Sequence, residues 1–336
     1  MKIAINGFGR IGRNFLRCVL QDSQAGKQLE IVVINIGPAN KEFTAHMFKY
    51  DTMMGTYPGD VCMEGDVLVT DEHRIQIVAH KDLAGLDWKK YDIDWVVEAS
   101  GHFTHRDHAL QHIKAGARYV LITAPAHDED ITIIPGVNQE LFDARKHHIV
   151  SLGSCTTNAF IPMLRVMHDA FTIVQGYMTT VHAYTNTQVL LDVETDDLRR
   201  SRAAALNIIP TSTGATCMLD KVLPALAGKI PATSIRVPVA KVSLIDLTIC
   251  TQRALTVDDM HAAFNNAMQG SMAGIIDLTL EPLVSSDFSG TPYSVVIDEL
   301  LTSAHSNMGK LFGWYDNEWG YSQRLKDFLL FVACKK

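Results

Sequence analysis

The segment Ser151-Leu152-Gly153-Ser154-Cys155-Thr156-Thr157-Asn158 sets one cysteine where a strand hands over to a helix that runs on through Ile161, Leu164 and Met167. A thiol in the first turn of a helix lies in the positive end of the macrodipole, which favours thiolate over thiol. The flanking hydroxyls and the strand-to-helix junction suit a nucleophile, against the inert buried thiol that a single cysteine otherwise is. Such a nucleophile needs a base. His182, in Thr180-Val181-His182-Ala183-Tyr184-Thr185-Asn186, is the candidate among fourteen histidines, with a structural histidine in a strand as the competing reading. Arg236, in Ile235-Arg236-Val237-Pro238, puts a charge into an apolar strand, so burial requires an anionic partner: a neighbouring carboxylate or a substrate phosphate. The run Pro210-Thr211-Ser212-Thr213-Gly214-Ala215 offers hydroxyls and a pliable backbone, suited to a small oxyanion or equally to a polar turn that caps a helix. Cys18, Cys62, Cys217, Cys250 and Cys334 lack the setting of Cys155. No two cysteines stand at a C-x-x-C spacing, so neither a metal site nor a disulfide framework is expected.

A second chemistry-bearing segment, Gly7-Phe8-Gly9-Arg10-Ile11-Gly12, follows a short apolar strand and opens a helix. The first glycine permits a tight turn, the second lets a pyrophosphate approach the backbone, and the third allows close strand–helix packing, with the helix N-terminus facing the phosphates. A tight turn without a ligand is the plainer reading of an isolated motif; its place after an N-terminal strand favours a dinucleotide. Such sites usually carry an acid at the end of the second strand to accept hydrogen bonds from the ribose. Here that place reads Asn35-Ile36-Gly37-Pro38. Ile36 cannot accept those bonds, so the ribose is held in another way or the site tolerates a 2′-phosphate.

The elements that must position these residues follow from periodicity. Residues 3–6, 31–35, 95–99, 119–123 and 148–152 read as buried parallel strands, with helices over 11–20 and 106–115, the alternation of a doubly wound α/β sheet. Beyond residue 150, strand-like stretches at 173–183, 235–239, 243–251 and 311–314 and a helix near 258–268 suggest a mixed or antiparallel sheet. A last amphipathic helix near 318–333 offers Trp319, Leu325, Phe328, Leu329 and Val332 as its docking face. The 336 residues fit about two domains. With 47% apolar and 20% charged residues the chain has a globular composition, which excludes long disordered tails. Thirty Lys and Arg against 37 Asp and Glu, a net charge of -7, argue against a nucleic-acid partner. There is no signal-like stretch and no long apolar span, so a soluble cytoplasmic protein is expected.

Taken together, the segments resemble the phosphorylating glyceraldehyde-3-phosphate dehydrogenase (type I) family. The resemblance covers essentially the whole chain: I-N-G-F-G-R-I-G-R at the start, K-Y-D at Lys49 to Asp51, S-C-T-T-N at Ser154 to Asn158 and H-A-Y-T-N at His182 to Asn186. It continues through L-R-R-S-R-A-A-A at Leu198 to Ala205, I-P-T-S-T-G-A at Ile209 to Ala215, R-V-P at Arg236 to Pro238 and W-Y-D-N-E-W-G-Y at Trp314 to Tyr321. It implies an α/β chain with an N-terminal Rossmann dinucleotide-binding domain, residues 1–153 and 318–336, to which the last helix returns. Residues 154–317 would form an α+β catalytic domain with a mixed or antiparallel sheet. It further implies NAD as cofactor, a phosphorylated aldehyde and inorganic phosphate as ligands, a homotetramer, and no membrane partner.

Carried over residue by residue, the resemblance makes Cys155 the nucleophile and His182 the base and later acid. Thr185, Arg200 and Arg236 would hold the substrate phosphate, and Ser154, Thr156, Thr213 and Gly214 would receive inorganic phosphate. Gly7, Gly9, Arg10, Ile11, Gly12, Thr123 and Asn317 would contact the cofactor, Asn317 through the nicotinamide carboxamide. The implied reaction oxidises glyceraldehyde 3-phosphate to 1,3-bisphosphoglycerate through a hemithioacetal and a thioester on Cys155. The chain departs from the family pattern at Ile36, which opens the way to NADP, whereas Glu194 would repel a 2′-phosphate; NAD with relaxed discrimination is the expectation. Thr187 stands where aspartate is more frequent, and Ala159 where many members have a second cysteine. The competing readings are an erythrose-4-phosphate dehydrogenase, which hydrolyses its thioester, and a non-catalytic nucleotide-binding or adhesion protein on the same fold.

Overall fold

The computed structural model describes residues 1–335, which divide into two compact units. The first comprises Met1–Ile133, Glu140–Gly153 and the stretch from Ser322 onward; the second comprises Ile134–Gln139 and Ser154–Tyr321. Residues 134–139, assigned to the first domain by the sequence reading, group with the second because Ile134 and Val137 belong to its apolar core.

The first unit is built on a nine-stranded sheet. Its strands are β1 (Lys2–Asn6), β2 (Glu30–Asn35), β3 (Val61–Glu64), β4 (Val67–Thr70), β5 (His73–Val78), β6 (Trp95–Glu98), β7 (Tyr119–Ile122), β8 (Ile131–Thr132) and β9 (Ile149–Ser151), in the order β3-β4-β5-β2-β1-β6-β7-β9-β8. From β5 to β8 every pairing is parallel. Helices α1 (Arg10–Leu20), α2 (Ser23–Gln28), α3 (Thr44–Lys49) and α4 (Arg106–Lys114) belong to the same unit. The fully buried residues of β1 and β6 explain why these strands read as continuous apolar runs. The antiparallel pairs β3–β4 and β4–β5 were not foreseen, because β3 alternates half-buried and exposed residues and carries little apolar signal.

The second unit carries an eight-stranded mixed sheet against α5 (Cys155–Phe171). Its strands are β10 (Ile173–Ala183), β11 (Ile209–Thr211), β12 (Ala232–Val237), β13 (Ser243–Thr251), β14 (Ile276–Thr279), β15 (Val295–Asp298), β16 (Ser303–His305) and β17 (Met308–Tyr315), ordered β11-β12-β10-β13-β17-β15-β14 with β16 paired to β17. Along β13 burial alternates strictly, so Ile245, Leu247 and Ile249 enter one face of the sheet, where Phe160, Met163, Leu164 and Met167 of α5 join the same core. Helices α6 (Ala215–Val222) and α7 (Val257–Met268) complete the layer.

Helix α8 (Trp319–Cys334) passes into the first unit from Ser322 onward. There Phe328 meets Trp95 and Phe142 edge-on at 5.8 and 5.5 Å, and Lys326 Nζ donates to Asp22 at 2.7 Å. Leu325, Leu329 and Val332 are buried as the docking face requires, whereas Trp319 groups with the second unit.

Candidate active site

Helix α5 begins at Cys155 because Ser154 caps it: the Ser154 hydroxyl accepts the Thr157 N–H at 3.1 Å, and the Thr157 hydroxyl accepts the Ser154 N–H. The cap fixes the thiol at the first helical position. Strand β10 brings the base. Its buried side presents Met178, Thr180 and His182 in alternation, and His182 Nε2 comes to 3.6 Å from Cys155 Sγ. Parallel pairing of β10 with β12 makes Arg236 the register partner of His182. Arg236 Nη1 lies 2.7 Å from His182 Nδ1 and 3.1 Å from the Ala183 carbonyl, which is itself 2.6 Å from Nδ1. A guanidinium only donates, whereas the Ala183 oxygen can accept from Arg236 and from Nδ1–H together; in the tautomer that places the proton on Nδ1, Nε2 is the nitrogen that can accept the thiol proton.

Electrostatics add a correction. The helix end was expected to favour a thiolate, but burial pushes the Cys155 thiol up, outweighing the Arg236 guanidinium, the Thr156 hydroxyl and the backbone N–H groups of Thr156 and Cys155. Burial, with repulsion from Arg236, lowers His182 to about 3, while the Ala183 contact pulls the other way. Neither group is comfortable charged alone. A thiolate formed together with an imidazolium is different, since each charge offsets the other at 3.6 Å.

No carboxylate pairs with Arg236 among the described residues, and its buried Nε has no hydrogen-bond partner. Burial lowers its affinity for the proton, the Cys155 and Tyr315 groups raise it, and the nearby Arg200 guanidinium lowers it again. Two guanidiniums that repel each other, one of them acting on the thiol, are suited to a dianion. Arg200 is steadied by Thr211, to which its Nε donates at 2.9 Å, and by Asp197 at 3.6 Å.

The remaining phosphate candidates make local contacts. Thr156 Oγ1 lies 4.0 Å from Cys155 Sγ and 2.9 Å from the Tyr315 hydroxyl. Thr185 pairs with Thr187 at 2.9 Å, the Thr213 hydroxyl accepts the Ala215 N–H, and Gly214 precedes α6. Asn317 Oδ1 accepts from Ser243 Oγ at 3.3 Å, and that same hydroxyl accepts the Ala183 N–H. Sequence reasoning gave Tyr315 and Thr180 no role. Their signal was a hydroxyl at a core-facing position of an alternating strand.

In the first unit the glycine-rich turn fits a dinucleotide. Gly7 has φ +95°, and a Cβ there would stand 2.5 Å from the Ser100 backbone; a Cβ on Gly12 would stand 2.2 Å from the Gly7 carbonyl oxygen. Gly9 differs: a Cβ there meets nothing within 4 Å. No side chain caps α1 and no acid stands in its first turn, and the N-terminus of a helix is suited to receive an anion. The Arg10 side chain itself is ion-paired with Asp51. Thr123 continues β7, its hydroxyl donating to the Glu98 carbonyl at 3.0 Å. Behind the turn, Glu98 accepts from Asn6, from the Ser100 N–H and hydroxyl, and from His112, whose Nδ1 receives the Trp88 N–H. Ile36 is buried, with its N–H bonded to Val78.

A dinucleotide-type α/β unit, together with a second unit that juxtaposes a thiol, an imidazole and a guanidinium, defines a nicotinamide-dependent oxidoreductase of the thiol-bearing kind. The family model described as "Glyceraldehyde 3-phosphate dehydrogenase, NAD binding domain" matches residues 1–106, and that described as "Glyceraldehyde 3-phosphate dehydrogenase, C-terminal domain" matches residues 154–317. The chain is 45% identical over 334 residues to glyceraldehyde-3-phosphate dehydrogenase 2 of Streptomyces avermitilis, covering 99% of this chain and 98% of the relative. It is 46% identical over 335 residues to the glyceraldehyde-3-phosphate dehydrogenase of Streptomyces coelicolor, at 99% and 98% coverage. Against glyceraldehyde-3-phosphate dehydrogenase 2 of Bacillus subtilis it is 45% identical over 336 residues, at 100% and 97% coverage. The chain belongs to the glyceraldehyde-3-phosphate dehydrogenase family.

Proposed function

We propose that this chain oxidises glyceraldehyde 3-phosphate and phosphorylates the product, with NAD as oxidant. The observation that carries this reading is the contact of Cys155 Sγ with His182 Nε2 at 3.6 Å, backed by a half-buried Arg236 whose buried Nε lacks a partner. Cys155 attacks the aldehyde carbon while its proton passes to His182 Nε2. The resulting alkoxide needs donors, and the backbone N–H at the start of α5 supplies one. After proton return gives the hemithioacetal hydroxyl, His182 takes that proton again as the carbon loses hydride, which leaves an acyl thioester on Sγ. Gly7, Gly9, Arg10, Ile11, Gly12, Thr123 and Asn317 would hold NAD, which when bound would supply the hydride acceptor. Arg236, Arg200 and Thr185 hold the substrate phosphate; Ser154, Thr156, Thr213 and Gly214 receive the inorganic phosphate that cleaves the thioester to an acyl phosphate and frees the thiolate.

The test is the near-ultraviolet absorbance of reduced cofactor formed from aldehyde and NAD, with and without inorganic phosphate. Phosphate-dependent turnover is expected. Turnover that ignores phosphate points to the hydrolytic erythrose-4-phosphate reading, and none at all to the non-catalytic one. Within the second unit Leu190, Leu191, Leu198, Leu206 and Ile208 are exposed along one stretch, which supports a homotetramer covering them; a monomer by light scattering would overturn that.

A further inference from the structure

We infer that Tyr315 is a positioning residue for the thiol–imidazole pair: its hydroxyl ties the first turn of α5 to β10 and so sets the separation of Cys155 from His182. The inference rests on the reading of those two residues as nucleophile and base. They stand at the far ends of consecutive elements joined at Thr172, so the joint by itself does not set their distance. The Tyr315 hydroxyl supplies one. It lies 2.9 Å from Thr156 Oγ1 and 2.8 Å from Thr180 Oγ1. Thr156 adjoins Cys155 in the first turn of α5, and Thr180 shares the buried side of β10 with His182, two residues away.

The Tyr315 ring completes the arrangement. It meets the His182 ring edge-on, with centroids 5.9 Å apart and planes at 77°, which limits rotation of the imidazole. Tyr315 sits at the end of β17 opposite Ser243 of β13, so a strand backbone fixes its own position. All three residues are withdrawn from solvent: Tyr315 and Thr180 are each 1% exposed and Thr156 is 5% exposed. Loss of the phenol oxygen would leave two buried threonine hydroxyls without this partner. Burial keeps the phenol protonated, so it orients rather than relays.

A packing role and a positioning role differ in what they move. The full-length protein carrying Tyr315→Phe keeps the ring and loses only the tie. Three quantities are measured: kcat and KM for the aldehyde, the rate at which iodoacetamide alkylates the Cys155 peptide, followed by mass spectrometry, and the melting temperature. A misplaced nucleophile is expected to lower kcat and the alkylation rate together by about tenfold or more, with KM changed less than about twofold. Thr180→Val should reproduce the loss and Thr180→Ser, which keeps the hydroxyl, should restore it; this pair reads the same quantities if Tyr315→Phe does not fold. Wild-type alkylation and kcat in Tyr315→Phe or in Thr180→Val, whatever the melting temperature, would overturn the inference. Failure of the parent reading shows separately, as unimpaired turnover in Cys155→Ser.

Discussion

His182 and Arg236 are register partners on the parallel strands β10 and β12, so the base and the half-buried guanidinium are held side by side by sheet hydrogen bonding rather than by a loop. Two effects should follow from removing the charge. Arg236→Leu is expected to raise KM for the phosphorylated aldehyde by a hundredfold or so, by loss of a charge-assisted contact, while unphosphorylated glyceraldehyde is affected far less. Arg236 also helps to lower His182, so the pH dependence of the variant should shift upward. Equal losses on both aldehydes would remove Arg236 from phosphate binding.

Cys155→Ser should abolish oxidation, because a serine hydroxyl is a far weaker nucleophile than a thiol, and leave NAD binding intact, because it changes one atom and none of the residues assigned to the cofactor. His182→Asn is expected to lower kcat by roughly a hundredfold or more. It should also slow alkylation of Cys155, which has lost its proton acceptor. An unchanged pH–rate profile in this variant would count against the base.

Much of this was legible in the sequence because the signals were local. The parallel strands around Gly7-Phe8-Gly9-Arg10-Ile11-Gly12 are apolar runs, and β10 and β13 run over the residues that their patterning predicts. What periodicity could not supply was which histidine meets Cys155, since the pairing of β10 with β12 and the placement of α5 against the sheet are long-range. Resemblance supplied it. The state of the thiol was misjudged for a related reason: the dipole of α5 is written in its sequence, whereas the desolvation that opposes it comes from elements far away in the chain.

Acid stability offers a further check on His182. Its folded value is about 3 against an ordinary 6.5, so between these limits the unfolded chain binds a proton that the folded chain refuses. Stability therefore rises with pH through this window and is independent of this group above it. The slope approaches about 1.4 kcal/mol per pH unit. Urea midpoints of wild type and His182→Asn from pH 6.5 down to pH 4.5 should diverge, with the wild type falling faster; parallel curves would show that His182 is not held neutral.

Cofactor choice turns on Ile36, whose buried side chain offers the ribose no acceptor. We expect NAD to be preferred over NADP by less than a typical family member achieves, and Ile36→Asp to widen the preference by tenfold or more, through a new acceptor for the ribose hydroxyls and repulsion of a 2′-phosphate. The measurement is kcat/KM for both cofactors in both proteins. A wild type that strongly prefers NADP would refute the expectation.

The glycine-rich turn separates folding from binding. A Cβ on Gly12 would stand 2.2 Å from the Gly7 carbonyl oxygen, so Gly12→Ala must push α1 away from β1 and should lower the melting temperature of the protein. At Gly9 the same methyl meets no protein atom within 4 Å, and the backbone, at φ -74°, accepts an alanine. Gly9→Ala should therefore melt close to wild type. Its methyl instead occupies space beside the α1 N-terminus, where the pyrophosphate has to approach the backbone. NAD affinity by calorimetry is expected to fall by tenfold or more in this stable variant, and wild-type affinity would mean that the dinucleotide does not use this turn.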